Sequence, residues 1–317
     1  MSKTNPSQFH SAEVAIQERL GIAELVAKYS EGFIRSAMPE QHRKFYSELP
    51  FVVLGVTDHK GYPWPIPLFG QAGFIQSPNE ITLHFTGLPS LIKTLDIEFI
   101  TGQKIGILGI QLSTRRRNRV NGVIQTINDG DFSIQVEQSF GNCPKYIQKR
   151  ELTWASHSQS LPQFSDEKLT TAIDVNAIAL IEDADTFFIA SRTKYFDKDK
   201  RSGIDASHRG GKSGFVKVEN NRLKFPDFKG NGFFNTLGNI ESDSRVGLFF
   251  PDFSTGNAVF VAGQASILWD KEAREGFNGA ERIVEIKIEE SVFLPAFMAM
   301  TAELEEFSPV LQGTSIW

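Results

Sequence analysis

The densest run of residues able to do chemistry is Ser207-His208-Arg209-Gly210-Gly211-Lys212-Ser213-Gly214. Its glycines permit close backbone approach, and Arg209 and Lys212 can give charge-assisted hydrogen bonds to a phosphate, with His208 as a further phosphate contact or a turn cap. Shortly after it, Phe225-Pro226-Asp227-Phe228-Lys229-Gly230-Asn231-Gly232 runs into an expected helix over Phe233–Ile240. A helix start offers unpaired N–H groups and the positive end of the helix dipole to an anion. Together these read as a phosphate cradle made from a strand and a helix start. A glycine-rich basic turn is equally a common form of solvated hairpin. The run matches neither the Walker loop nor G-x-G-x-x-G.

A second basic cluster is Thr114-Arg115-Arg116-Arg117-Asn118-Arg119-Val120-Asn121-Gly122. Arg115, Arg116, Arg117 and Arg119 so close together suit a phosphate, a carboxylate or nucleic acid, or simply a solvated hairpin. Cys143, in Asn142-Cys143-Pro144, could approach a ligand, although a lone cysteine before proline more often packs as a small apolar residue. It is the single cysteine of the chain, which excludes an intramolecular disulfide framework and any multi-cysteine metal site. The six histidines are scattered, Asp183 and Asp185 read as a turn after a helix, and no residue is assigned a catalytic role. No metal site is expected.

These clusters belong to an internal repeat. Gly73-Phe74-Ile75 returns 141 residues later as Gly214-Phe215-Val216, and Ile105-Gly106-Ile107-Leu108 returns as Val246-Gly247-Leu248-Phe249. Ser113-Thr114 and Gly122 match Ser254-Thr255 and Gly263 at the same 141-residue spacing. Phe51-Val52-Val53-Leu54 resembles Phe187-Phe188-Ile189-Ala190, Leu83-His84-Phe85 resembles Leu223-Lys224-Phe225, and Pro144-Lys145-Tyr146 falls opposite Pro295-Ala296-Phe297. Duplication of one domain is the reading. The two copies differ reciprocally in charge. Opposite Ser207–Gly214 the first copy has the uncharged Ile66–Gly73, and opposite Arg115–Arg119 the second has Gly256–Phe260. If the copies pack about a pseudo-two-fold axis, one interface site keeps basic charge from both sides and the other loses it. That arrangement implies one anionic ligand per chain.

The elements that must position these residues are mostly short strands. In the first copy they are expected at Phe51–Val56, Gly73–Ile75, Ile81–Phe85, Ile105–Leu112, Arg119–Ile127 and Asp131–Gln138, separated by turn signals. In the second copy Arg282–Ile288 alternates in the same way. Many short antiparallel strands suggest small barrels. Helical spacing runs over Ser11–Tyr46, broken near Ser30–Gly32 and at Pro39, and again over Ser165–Ile181 with Ser165 or Asp166 as N-cap. The expected organisation is a helical region over 1–48, a first barrel over 49–155, and a linker helix with a second barrel over 156–317, the joint lying in Trp154–Phe164.

Composition sets the outer bounds. With 317 residues, 40% hydrophobic and 22% charged, the chain has the balance of a two-domain globular protein. A net charge of −5 argues against coating nucleic acid, and no aromatic platform interleaves the arginines. No apolar run approaches a membrane span, and the N-terminus lacks a signal-peptide pattern, so a cytoplasmic setting is expected.

The stretches Ala206–Val216, Asp227–Asn239 and Ser244–Phe250, with Arg115–Gly122 and Gln138–Gln148, resemble the pyridoxamine 5′-phosphate oxidase-like, FMN-binding split-barrel family, in a long two-barrel branch. The resemblance implies a mainly β (α+β) fold. Two tandem six-stranded split barrels would form an intrachain pseudo-dimer, with FMN in the groove between them. It further implies that Arg209 grips the FMN phosphate with Lys212 and His208 beside it, over Gly211. Asp227, Phe228, Lys229 and Asn231 would line the ribityl chain and phosphate, joined by Asn235, and Asn257 would lie near the flavin ring. Arg115, Arg116, Arg117, Arg119, Asn142 and Cys143 would face substrate or cofactor from the first copy. The oxidase's C-terminal tryptophan- and arginine-bearing motif has no counterpart here, although the chain ends in Trp317, so pyridoxamine phosphate is not the expected substrate. The expectation is an FMN-dependent oxidoreductase acting with a small-molecule substrate or electron donor. No nucleic-acid or membrane partner is expected, and a homodimer is compatible with it. The alternative is a non-enzymatic flavin- or haem-binding protein on the same fold, with His208 as the foremost candidate axial ligand.

Overall fold

The protein is described by a computed structural model over residues 8–155, 168–196 and 199–317. Three N-terminal helices come first: α1 (Ser11–Arg19), α2 (Ala23–Ser30) and α3 (Glu40–Glu48). The expected breaks after Ser30 and at Pro39 are present. An additional one lies at Gly21, whose φ of 68° ends the first helix. The first sheet follows with β1 (Phe51–Thr57), β2 (Pro63–Phe69), β3 (Ile75–Asn79), β4 (Thr82–Phe85), β5 (Lys104–Gln111), β6 (Arg116–Asn128) and β7 (Asp131–Gly141). After β8 (Lys149–Trp154) and α4 (Val175–Asp183) come β9 (Thr186–Arg192), β10 (Ile204–Gly210), β11 (Lys217–Glu219) and β12 (Arg222–Phe228). Then α5 (Asn235–Ser242), β13 (Arg245–Pro251), β14 (Ala258–Leu268), β15 (Ala280–Leu294) and β16 (Met300–Glu306) complete the chain.

Two seven-stranded antiparallel sheets result, ordered β2-β1-β5-β6-β7-β4-β3 and β10-β9-β13-β14-β15-β12-β11. The order is the same in both, and β8 pairs with β16 as a ribbon joining the two halves of the chain. The fold is therefore mainly β, two tandem split-barrel units. Each has seven strands where the resemblance implied six, the short β3 and β11 closing the outer edge.

Strand register sharpens the repeat. Gly106 pairs with Asn121 and Gly247 with Ala262, both at the 141-residue spacing, and a β-bulge follows at Gly122 and again at Gly263. A Cβ at either bulge glycine would collide with a backbone carbonyl of the neighbouring strand, Gln135 or Lys287, which is why both positions are glycine. The same register shifts one match by one residue: Val52, not Phe51, is the counterpart of Phe187. A left-handed residue follows β7 at Tyr146 and β15 at Ala296.

Three expectations shift. The strand β2, absent from the expected set, forms despite Pro63, Pro65 and Pro67 because it is a sheet edge, where alternate N–H groups have no neighbour to meet. The helix expected over Ser165–Ile181 runs instead over Val175–Asp183, capped by Asp174, whose carboxylate accepts from the Asn176 N–H at 2.7 Å. Ser165, Asp166 and most of the Trp154–Phe164 joint lie outside the described residues. The helix expected over Phe233–Ile240 begins at Asn235, because Phe234 takes a left-handed φ of 60° at its cap.

One core cluster runs across the junction of the units, beside a second cluster inside the second unit. Phe188, Ala206, Phe249, Ala258 and Phe260 of the second unit join the buried cluster of Val53, Leu54, Ile66, Leu68 and Ile107 of the first. Backbones meet at two repeat-related points. A Cβ at Gly106 on β5 would collide with the Ile204 carbonyl of β10, and one at Gly247 on β13 with the Pro63 carbonyl of β2. Two glycines thus allow the units to close on each other, and the groove beside this contact is where the basic clusters meet.

Candidate functional site

A cavity of about 450 Å³ opens between the units. The first unit contributes Leu108, Arg117, Arg119, Asn142, Cys143, Lys145 and Tyr146. The second contributes β10 from Ser207 to Gly210, the segment Pro226–Gly232, the first turn of α5, and Glu281 and Arg282 of β15. Leu20 and Ile22, from the α1–α2 connection, close one side.

Its lining is cationic. Arg117, Arg119, Arg209, Arg282, Lys145 and Lys229 stand against the carboxylates of Asp227 and Glu281. The arginines are not equivalent. Arg209 lies 2.7 Å from Asp227 Oδ1, and Arg282 lies 3.3 Å from Asp227 Oδ2 and 2.7 Å from Glu281. Arg119 donates to Asp205 at 3.2 Å, to Asn235 Oδ1 at 3.0 Å and to the Ser207 hydroxyl. Arg117 donates only to backbone carbonyls, Cys143 at 2.8 Å and His208 at 3.2 Å, and among the described residues no carboxylate is paired with it. Burial, then the neighbouring Arg119 and Arg209, pushes its guanidinium down to about 9. Such a group calls for an anion, because backbone carbonyls satisfy its N–H groups without balancing its charge.

Among the described residues, further polar atoms in this lining lack partners: Arg119 Nε, Arg209 Nε and Asn142 Oδ1. His208 is 4% exposed, and among the described residues neither of its ring nitrogens has a partner. Residues alternate across β10, so while Asp205 and Ser207 face Arg119, the His208 ring packs against Phe188, 5.7 Å between centroids. Burial, reinforced by Arg117, Arg209 and Arg150, holds its pKa far below the usual histidine value, so the imidazole is neutral. Opposite the arginines Phe228 stacks on Tyr146 at 5.0 Å, and the Tyr146 hydroxyl donates to the Lys229 carbonyl, joining the units across the cavity wall.

Of the sequence candidates, His208, Arg209, Asp227, Phe228, Lys229, Asn231, Asn235, Arg117, Arg119, Asn142 and Cys143 come together here. Five do not line the cavity. Lys212 turns away and donates to the Thr314 carbonyl at 2.7 Å. Gly211 is packed under Phe215, and its carbonyl accepts from Gln148. Asn257 lies in the turn before β14, where its side chain accepts from the Ala296 N–H at 2.9 Å. Arg115 ties Ile147 to Glu306, and Arg116 lies over the Phe45 ring while bonding the Gln41 carbonyl. Strand alternation decides the arginine cluster: Arg117 and Arg119 share one face of β6. Sequence reasoning missed Arg282, Lys145, Leu20 and Ile22; only Arg282, a charge inside the apolar alternation of β15, carried a signal.

The site related to this one by the internal repeat is closed. Register places Ala258 and Phe260 where Arg117 and Arg119 stand, and Leu68 where Arg209 stands. All three are buried in the apolar core that joins the units. Among the described residues no group of three or more His, Cys, Asp or Glu is placed to hold a metal, and no helix is long and apolar enough to cross a membrane.

No family model matches the chain, and no curated protein matches it in sequence. Solved structures do match, at low identity. Group A Streptococcus HupZ aligns at 13% identity with a TM-score of 0.31, over 39% of this chain and 96% of that protein. A candidate pyridoxamine 5′-phosphate oxidase of Lactobacillus delbrueckii aligns at 17% with a TM-score of 0.30, over 38% and 94%. An FAD-binding protein of Mycobacterium smegmatis aligns at 14% with a TM-score of 0.27, over 39% and 96%. Each match spans nearly a whole neighbour and a share of this chain the length of one unit. The chain is a tandem of two split-barrel units, and a stretch of it about one unit long is similar to structures of pyridoxamine 5′-phosphate oxidase-like proteins.

Proposed function

We propose that the protein binds one FMN per chain in the cavity between its units and acts as an oxidoreductase on a small substrate. The observation that carries this reading is Arg117: a guanidinium on the cavity wall, without a carboxylate partner among the described residues, in a cavity to which the second unit supplies Arg209 from β10 and Lys229 and Asn231 from the segment after β12. A phosphate supplies the missing charge, and the unpartnered Arg119 Nε, Arg209 Nε and Asn142 Oδ1 suit a ligand with several polar groups. Leu20, Ile22, Leu108, Pro226 and Phe228 offer apolar surface to a ring system, and the cavity volume falls in the range of roughly 300–1,000 Å³ usual for small-molecule sites.

The bound flavin supplies hydride or single-electron transfer; the chain binds it, orients it and keeps water away. In this reading Arg117 and Arg119 hold the anion from the first unit, and the start of α5 with Lys229 and Asn231 holds it from the second. The reading treats the chain as a duplicated domain with an N-terminal helical region. The apolar filling by Leu68, Ala258 and Phe260 supports one site per chain.

The visible absorbance spectrum of the purified protein, with mass and stoichiometry of the heat-released ligand, tests this. A flavin spectrum and about one FMN per chain are expected. Two per chain would sink the single-site reading. A Soret band lost on His208→Ala would replace flavin by haem, for which the neutral, unpartnered imidazole of His208 is the supporting observation. A colourless protein that takes up no added FMN would sink the cofactor reading.

A further inference from the structure

Residues 9–33 press on one short stretch of the second unit. His10 Nε2 lies 3.0 Å from Asn239 Oδ1, the Glu13 carboxyl bonds the Asn235 amide, Gln17 donates to the Phe233 carbonyl at 3.3 Å, and the Tyr29 hydroxyl bonds the Asn231 carbonyl. Phe233 itself is ringed by Phe9, Tyr29, Phe33 and Phe140. Gly238 permits the approach of α1 to α5, since a Cβ there would come within 2.5 Å of Glu13 Cγ. The stretch so clamped carries Asn231 and Asn235, two residues of the cavity wall.

Glu13 is the charged member of this contact and is 4% exposed. One carboxyl oxygen accepts from the His10 backbone N–H at 2.8 Å and the other from Asn235 Nδ2. Asn235 Oδ1 in turn accepts from Arg119 Nη1 at 3.0 Å. The Asn235 amide is therefore held from both sides, with its donor turned to Glu13 and its acceptor to an arginine of the cavity. We propose that Glu13 is a positioning residue for the cavity's anionic ligand, setting through Asn235 the orientation of Arg119, so that ligand affinity follows the charge on Glu13. The proposal rests on the cofactor reading above.

The groups facing Glu13 are Asp205 from β10, Arg119 from β6 and His10 from its own segment. Lys104 of β5, bonded to Glu137 of β7, and Arg201 line the same small adjoining cavity. Burial, and after it Asp205, pushes the Glu13 carboxyl up to about 8, against the hydrogen bonds from Asn235 and His10 and the charge of Arg119. Burial also holds His10 below its usual value, so it stays neutral above pH 7. Below about pH 8 Glu13 is thus neutral, and above it a second negative charge joins Asp205 beside Arg119. That charge competes with a ligand anion for the same guanidinium, so anion binding favours the protonated carboxyl and affinity falls as pH rises. The ligand's own phosphate, with its second pKa near 6, is ionised throughout this window.

Titrating the full chain with FMN between pH 7 and pH 9 tests the proposal. The wild-type Kd should rise with pH, by up to about tenfold over the window, the limit for one proton linked to binding. In Glu13→Gln only the part due to Arg117, whose guanidinium is held at about 9, should remain, about twofold by pH 9, with far-UV circular dichroism confirming the fold. If that variant does not fold, Glu13→Ala, which removes the same carboxyl, should flatten the profile instead. A flat wild-type profile, or an undiminished slope in the folded variant, overturns the role of Glu13 while leaving FMN binding intact. Absence of FMN binding at every pH overturns the cofactor reading and this proposal with it.

Discussion

Arg117→Ala is expected to weaken FMN binding by roughly 100-fold, and Arg209→Ala by clearly less. The ranking reverses what the sequence motif suggests. Arg209 sits in the glycine-rich run that resembles a phosphate strand, yet its charge is already balanced by Asp227 at 2.7 Å. Removing Arg209 leaves Asp227 paired with Arg282, so part of the loss is absorbed within the second unit. Among the described residues Arg117 has no such balance: its hydrogen bonds go to two carbonyl oxygens, and in the proposed reading the ligand supplies the anion. Truncating one member of a desolvated charge pair commonly costs about 2–5 kcal/mol, which brackets a 100-fold change. Fluorescence titration with FMN at fixed ionic strength measures both variants. A larger loss in Arg209→Ala would move the phosphate to the second unit's cradle and end the assignment to Arg117.

Gly106→Ala should destabilise the fold by on the order of 3 kcal/mol, the upper range for forcing extra volume into a packed interior. The added methyl would collide with the Ile204 carbonyl, a backbone atom that can yield only if β5 and β10 separate. Because that contact joins the units beside the cavity, ligand binding should fall with stability. Gly247→Ala should behave alike, since Gly247 meets the Pro63 carbonyl at the repeat-related position. Gly203→Ala is the control: its nearest neighbour would be the flexible Lys104 side chain at 4.0 Å, and little change is expected. Urea unfolding midpoints at constant m-value make the comparison. A midpoint for Gly106→Ala equal to that of Gly203→Ala would mean that the units do not depend on this close approach.

Much of the architecture was legible in the chain because strands alternate and repeats recur. The repeat spacing, carried by Gly106 with Gly247 and Gly122 with Gly263, survives in the register of both sheets. Position along the strand was less legible where apolar residues run without alternation. Phe51–Leu54 and Phe187–Ala190 are buried on both faces, so hydrophobicity alone cannot choose between neighbouring registers, and the match slipped by one. The strand β2 was hidden by its prolines, which forbid a central strand but not an edge.

For the site, residue types alone located the two basic clusters and their reciprocal loss between the copies. They could not say which members of each cluster face the ligand. Arg115, Arg116, Arg117 and Arg119 look alike as letters; the turn and alternation of β6 send the first two to the outer surface and the last two to the cavity. Nor could they show that Asp227 neutralises Arg209, because the pair forms between β10 and β12, strands far apart in the order of their sheet, or that residues 9–33 reach the cavity wall. The sequence by itself determined a mainly β protein with a recurring strand pattern and two basic clusters at different points of the recurrence, since periodicity and repetition are local properties. Which arginine lacks a counter-charge depends on every carboxylate within a few ångströms, and that only the tertiary structure decided.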